Sequence, residues 1–219
     1  MQKLAPLFLC LFILCSCKSE KSERVNSNDN TQVNEIDSSQ AKSEKSSSKK
    51  DLKNEKILVT SSGKKIKVQY AATSDGLTNI NIVPVDFENT SDTFSLADAD
   101  PVQKLKLDDL DNNGFDELYI VTVSSGSGSY ATIYGFASNN DLSLSPVYFP
   151  EISEDDLSTE GNYYGYMGHD SIYFENNRLL RKFPIYKDGD ANCCPTGGEK
   201  ILRYKLVPGE ASWRLNIEP

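Results

Sequence analysis

From residue 57 onward, apolar side chains recur at every second position over short stretches separated by turn residues, and the spacing of an amphipathic helix is hard to find. A period of two puts successive side chains on opposite faces of a strand, so this part of the chain is expected to fold as sheet. Residues 66–70 alternate cleanly, Thr73, Ser74, Asp75 and Gly76 make a turn, and residues 77–85 return as the second strand of a hairpin. Residues 89–100 are polar and ambiguous, and residues 102–107 alternate again behind Pro101. Residues 118–123 are the longest apolar run, which predicts a central strand buried on both faces, and residues 130–137 return antiparallel to it. Further strands are expected at 142–149, 171–174, 179–186, 200–206 and 213–217, with turns at Ser138 to Asp141 and at Asn176-Asn177. Residues 151–170 read as a long loop holding at most one helical turn. The fold class is therefore all-β: a single twisted antiparallel β-sandwich or open barrel, without the internal repeat of a propeller.

What precedes this domain is of two other kinds. Met1, Gln2 and Lys3 are followed by an apolar run over residues 4–14, which has the length and charged start of a secretory signal and is too short for a spanning helix. The run ends in Leu14-Cys15-Ser16-Cys17 and resembles a bacterial lipobox, with Cys17 as the acylated residue; Cys15 is the weaker candidate because bulky Leu14 precedes it. A lipid on Cys17 would be the membrane attachment. Residues 18–56 are Ser, Asn, Lys, Glu, Asp and Gln with almost no large apolar residue. They are expected to form a disordered tether, because such a composition cannot offset the entropy of ordering. The expected organisation is a lipoprotein signal at 1–17, a linker at 18–56 and an all-β domain at 57–219, lipid-anchored in a bacterial cell envelope on the periplasmic face of the outer membrane or at the surface.

The folded part carries 13 Lys/Arg against 24 Asp/Glu, a net charge of -11. That excludes a basic nucleic-acid footprint and suits a cationic partner or bound metal ions.

Between the strands ending at 107 and beginning at 118 lies an acidic loop. Asp109, Asp111 and Asn113 are spaced by two, Gly114 permits a sharp turn, the Phe115 carbonyl adds an oxygen and Glu117 stands ninth. Hard oxygens at this spacing wrap Ca²⁺, here in a structural role; an Asx-rich turn without metal accounts for the same residues. An EF-hand needs an acidic residue at the twelfth position, which is Ile120, and helices on both sides. No organic cofactor is implied.

The strand at 118–123 runs into Ser125, Gly126, Ser127, Gly128, Ser129 and Tyr130. A phosphate-binding loop is excluded, since no Lys follows the glycines and no helix opens there. Taken in order, the acidic loop, Ser125-Gly-Ser-Gly-Ser-Tyr130, Gly165-Tyr-Met-Gly-His-Asp170, Arg181-Lys-Phe-Pro-Ile-Tyr186 and Asp188-Gly-Asp-Ala-Asn-Cys-Cys-Pro-Thr-Gly-Gly198 resemble the periplasmic inhibitor family of i-type lysozymes. The resemblance spans most of residues 100–206. It implies a small all-β protein, not an enzyme, whose Ser-Gly-Ser-Tyr loop at 127–130 enters the lysozyme cleft and meets the catalytic carboxyl groups, protecting cell-wall peptidoglycan. A lysozyme offers one protonated and one ionised carboxyl, and a Ser and a Tyr hydroxyl can satisfy both. The lipobox and long tether depart from the simple soluble form of that family. The alternative from another class is a calcium-binding adhesion or carbohydrate-binding module.

Cys193 and Cys194 are the cysteines left outside the signal and the lipidation site. In an oxidising envelope a strained vicinal disulfide is expected, with two free thiols as the alternative. Zinc is disfavoured because His169 is the single histidine, and without a paired nucleophile it reads as a packing residue. Asp155 and Asp156 are solvated neighbours rather than a glycosidase pair, and Tyr163, Tyr164 and Tyr166 are expected to rim a binding surface or pack on a sheet edge.

Overall fold

A computed structural model describes residues 54–89 and 93–219. The signal, Cys17 and the tether up to residue 53 lie outside the described residues. Among the described residues no helix is long and apolar enough to cross a membrane.

The architecture is all-β, in three four-stranded antiparallel sheets that follow one another along the chain. The first holds β1 (Asn54–Val59), β2 (Lys65–Ala72), β3 (Thr78–Val85) and β4 (Phe94–Ala99). The second holds β5 (Val102–Asp108), β6 (Glu117–Val123), β7 (Ala131–Ser138) and β8 (Leu144–Val147). After the one-turn helix α1 (Glu154–Leu157), the third holds β9 (Ser171–Glu175), β10 (Arg178–Pro184), β11 (Glu199–Pro208) and β12 (Trp213–Ile217). Within each sheet, strands adjacent in sequence are adjacent in space. Asn176 and Asn177, at φ 51° and 56°, make the left-handed turn that matches the twist of the β9–β10 hairpin.

The second sheet is the middle layer. Leu118, Ile120, Phe136 and Leu144 on one of its faces pack against Ile66, Val68, Ile80 and Ile82 of the first sheet. Tyr119, Val121, Ile133, Ala137 and Val147 on the other face pack against Leu179, Phe183, Leu202, Tyr204, Leu206 and Leu215 of the third. This explains the unbroken apolar run at 118–123: both faces of β6 are core, and it is buried from Glu117 to Thr122. Ile120 has no exposed surface, so Ile120→Ala is expected to cost about 2–5 kcal/mol in urea unfolding.

No sheet closes on itself among the described residues, so the stack is a layered sandwich rather than a barrel. The second and third sheets are joined at their edges, where Tyr148 N–H donates to Trp213 O (2.8 Å) and Leu215 N–H donates to Tyr148 O (2.9 Å).

Two elements escaped the alternation pattern. β1 begins at Asn54, inside the segment expected to be tether, and β4 falls in the ambiguous polar stretch. Both are edge strands, β1 almost wholly exposed and β4 packing only Phe94, Leu96 and Ala99 inward. Backbone pairing with β2 and β3 holds them, and that requires no apolar period.

Candidate functional site

The loop between β6 and β7 is a closed, internally bonded turn. Ser124 N–H donates to Tyr130 O (2.9 Å), Tyr130 N–H donates to Ser124 Oγ (2.9 Å) and Ser129 N–H donates to Gly126 O (3.1 Å). Ser125, Gly126 and Ser127 are exposed at its tip, and Tyr130 is 45 % exposed. Gly128 is required because a Cβ there would overlap the Tyr130 ring, which folds back over the loop.

Two further loops buttress this one. His169 N–H donates to Gly128 O (2.6 Å), and Asn192 Nδ2 donates to Ser127 O (3.1 Å). Asn192 is itself held, its carbonyl accepting from Tyr186 Oη (2.8 Å) and its Oδ1 lying 3.3 Å from His169 Nε2. His169 stacks on Tyr186, and Tyr130 meets Tyr166 edge to face at 5.7 Å. Gly168, at φ 87°, passes so close that an added Cβ would overlap the Gly128 oxygen. The 188–198 loop is braced by Asp190, whose carboxylate accepts from the N–H groups of Lys187 and Thr196 (both 2.8 Å). Those bonds hold its pKa below the usual carboxylate range.

Under the three loops lies a buried ionic floor. Arg181 Nε donates to Asp170 Oδ1 (2.7 Å) and one of its terminal nitrogens donates to Asp170 Oδ2 (3.1 Å), with side chains 4 % and 0 % exposed. The same terminal nitrogen donates to Ala131 O (3.1 Å) and Tyr166 Oη (2.6 Å), while Asp170 Oδ2 accepts from Ala131 N–H (2.8 Å) and Tyr166 Oη (2.7 Å). The residue after Tyr130 is thus gripped at both its N–H and its C=O. Burial opposes the Arg181 charge, but the bonds from Asp170 win and hold its pKa above the ordinary value. Burial also raises the Tyr166 pKa; the Arg181 charge opposes this and Asp170 adds to it. The tyrosine cluster divides accordingly: Tyr163 is core, its hydroxyl bonded to that of Tyr204, Tyr164 is exposed, and Tyr166 belongs to the floor.

Beside Tyr130 and Tyr166 opens a groove of 780 Å³ whose wall carries Phe94, Tyr134, Tyr148 and Phe149.

The acidic loop between β5 and β6 adopts the expected sharp turn, with Asn112 at φ 60° and Gly114 at φ 89°. Asp109 accepts from the N–H groups of Asn113 (3.0 Å) and Gly114 (2.9 Å), and Asp111 Oδ1 also accepts from Asn113 N–H (3.0 Å). The Asn113 side chain is engaged within the loop, its Oδ1 accepting from Phe115 N–H (2.8 Å) and its Nδ2 donating to Asp111 Oδ2 (2.9 Å). Carboxylate oxygens of Asp109, Asp111 and Glu117 lie within 4.8 Å of one another. Glu117 has no exposed surface; its Oε2 accepts from Leu110 N–H (2.9 Å), and its Oε1 is buried without a hydrogen-bond partner. Burial pushes the Glu117 pKa up to about 8, against the Leu110 bond and with help from the charges of Asp111, Asp109 and Asp116. Burial likewise raises Asp111, with Asp109 adding to it.

Cys193 and Cys194 are both exposed, stand as free thiols in this structure and interact with each other through their side chains. Neighbouring Cα atoms stand about 3.8 Å apart across a trans peptide, short of the roughly 4.4–6.8 Å of ordinary disulfides. The peptide follows the loop, with Cys194 N–H donating to Ala191 O (2.8 Å). His169 is a loop brace whose contacts run to Gly128, Asn192 and Tyr186.

Of the residues expected at the inhibitory loop, all six stand together on one turn. Sequence reasoning missed Asn192, Gly168 and Asp170 as its supports. All three lie inside stretches singled out as blocks, Gly168 and Asp170 in 165–170 and Asn192 in 188–198, but nothing in their spacing sets them apart from surface loop residues. No protein-family model, curated protein or solved structure matches the chain.

Proposed function

We propose that this protein is an inhibitor of lysozyme, of the i-type, that acts by inserting the 125–130 loop into the enzyme's cleft. The observation that carries the reading is the bracing of that loop. Its tip presents Ser125, Ser127 and Tyr130 to solvent while its backbone is bonded to two neighbouring loops and to the Arg181–Asp170 floor. A protruding element whose hydroxyls are fixed before contact loses little conformational entropy on binding. An acidic body then favours encounter with a cationic enzyme. In the cleft, one hydroxyl donates to the ionised carboxylate and another accepts from the protonated acid. No catalysis by this chain is involved.

The test is lysis of peptidoglycan by an i-type lysozyme, followed by turbidity while the protein is titrated in. A saturating block with one-to-one stoichiometry is expected, and full lysis at micromolar excess would overturn the reading. Two supporting residues give a graded version. Asn192→Ala removes one hydrogen bond to the loop, worth about 0.5–1.5 kcal/mol, so potency is expected to fall roughly 2–10-fold with the melting temperature little changed. Gly168→Ala adds a Cβ against the Gly128 carbonyl at a left-handed φ, and a larger loss is expected.

The same proposal places the protein on a membrane through a lipid on Cys17, from which the tether lets it stand off. Cys17→Ala is expected to move it from the membrane fraction to the soluble fraction.

A second reading, a carbohydrate-binding module, is favoured by the aromatic-walled groove next to Tyr130. Soluble peptidoglycan fragments tested by calorimetry without lysozyme separate the two, since the inhibitor reading needs no such binding.

A further inference from the structure

We propose that Asp109, Asp111 and Glu117 hold one hard divalent cation, calcium in preference to magnesium, at the point where the acidic loop ties the three sheets together. The inference stands apart from lysozyme inhibition.

Three observations carry it. The first is spacing: the carboxylate oxygens fall within 4.8 Å of one another. A Ca²⁺ ion holds its oxygens at roughly 2.3–2.6 Å, so two ligands on opposite sides are separated by about twice that distance. The second is an orphaned acceptor. Glu117 is fully buried, and while its Oε2 takes the Leu110 N–H, its Oε1 makes no well-formed hydrogen bond among the described residues, although the Tyr119 hydroxyl, buried and equally unpaired, stands near the carboxylate. Buried polar atoms are nearly always paired, because an unmade bond in the interior forfeits solvation with nothing in return. A cation beside Asp109 and Asp111 supplies the missing partner. The third is preorganisation. The N–H groups of Asn113 and Gly114 fix the Asp109 and Asp111 carboxylates while leaving lone pairs on each, since an ionised carboxylate has about four acceptor sites.

The Asn113 side chain is bonded at both ends within the loop and sets the turn, its Oδ1 keeping one lone pair, while the three carboxylates carry the charge. Main-chain oxygens and water complete the six to eight positions that calcium accepts, an irregular shell that magnesium's stricter octahedron does not favour.

The location gives the site its consequence. Asp116 Oδ2, next to Glu117, accepts from Ser61 N–H (2.6 Å) in the β1–β2 turn of the first sheet. Asn177 Nδ2, in the β9–β10 turn of the third sheet, donates to Asp109 O (2.6 Å). The loop belongs to the second sheet, so a cation within it braces all three at one corner.

The test uses the full chain in mild detergent, stripped of metal by a chelator and dialysed, with thermal unfolding followed as calcium chloride is added. Magnesium chloride at equal ionic strength is the control. A saturable rise of about 5–10 °C is expected at a hundredfold excess over Kd, with one equivalent bound by calorimetry and a smaller response to magnesium. Glu117→Gln, close in shape, and Asp111→Asn, half-buried and still able to accept from Asn113 N–H, are each expected to remove most of the rise. Asp111→Asn keeps the test decisive if the core substitution unfolds the protein. No rise at about 10 mM calcium, beyond the millimolar range of weak sites, would overturn the proposal. An equal rise in wild type and Asp111→Asn would overturn it too, as would an equal response to magnesium.

Discussion

Arg181→Ala is expected to destabilise the protein by about 3–5 kcal/mol and lower its melting temperature by roughly 6–20 °C. The guanidinium is 4 % exposed and donates to Asp170, Ala131 O, Tyr163 Oη and Tyr166 Oη. Its loss leaves a fully buried Asp170 charge facing only the Ala131 N–H and the Tyr166 hydroxyl. The cost is mainly that uncompensated charge, not the strength of the ion pair taken alone. Arg181→Lys should recover part of the stability, since an ammonium restores charge but cannot reach two oxygens, a carbonyl and two hydroxyls in one plane. Urea unfolding followed by Trp213 fluorescence measures both variants. A loss under about 1 kcal/mol for Arg181→Ala would place this network among surface ion pairs, which its burial contradicts.

Ser127→Ala combined with Tyr130→Phe is expected to abolish lysozyme inhibition while leaving the fold intact. Ser127 is exposed, and the Phe ring keeps the edge contact with Tyr166, so stability should stay within about 0.5 kcal/mol of wild type. Each hydroxyl facing a catalytic carboxyl contributes a charge-assisted bond worth about 1.5–3 kcal/mol, and losing two corresponds to roughly 10²–10⁴ in Kd. The turbidity assay reads this directly. Unchanged potency would show that some other surface makes the contact, with the aromatic groove the first place to look.

These two variants divide the region between scaffold and tip, and the division follows how each was legible. The alternation of residues 66–70 and the apolar run at 118–123 sufficed to place β2 and the two-sided core strand β6, because burial on one face or both leaves a periodic trace. Edge strands β1 and β4 left only a short trace, Leu58 in one and Phe94 and Leu96 in the other, since main-chain hydrogen bonds to β2 and β3 do much of the holding. The acidic loop was legible for a third reason: turn chemistry is local, and Asp109, Asn113 and Gly114 meet within six residues.

The sequence by itself determined the all-β class, the buried middle strand, the acidic turn and the serine-glycine loop as a unit, because each is encoded by residues near one another in the chain. Only the tertiary structure decided which distant residues stand behind that loop. Asn192 reaches Ser127 across 65 positions and Arg181 reaches Ala131 across 50. It also decided that the Glu117 Oε1 is buried without a partner. Burial and pairing at long range depend on how three sheets stack, and a one-dimensional pattern records the faces that are buried, not what each face meets.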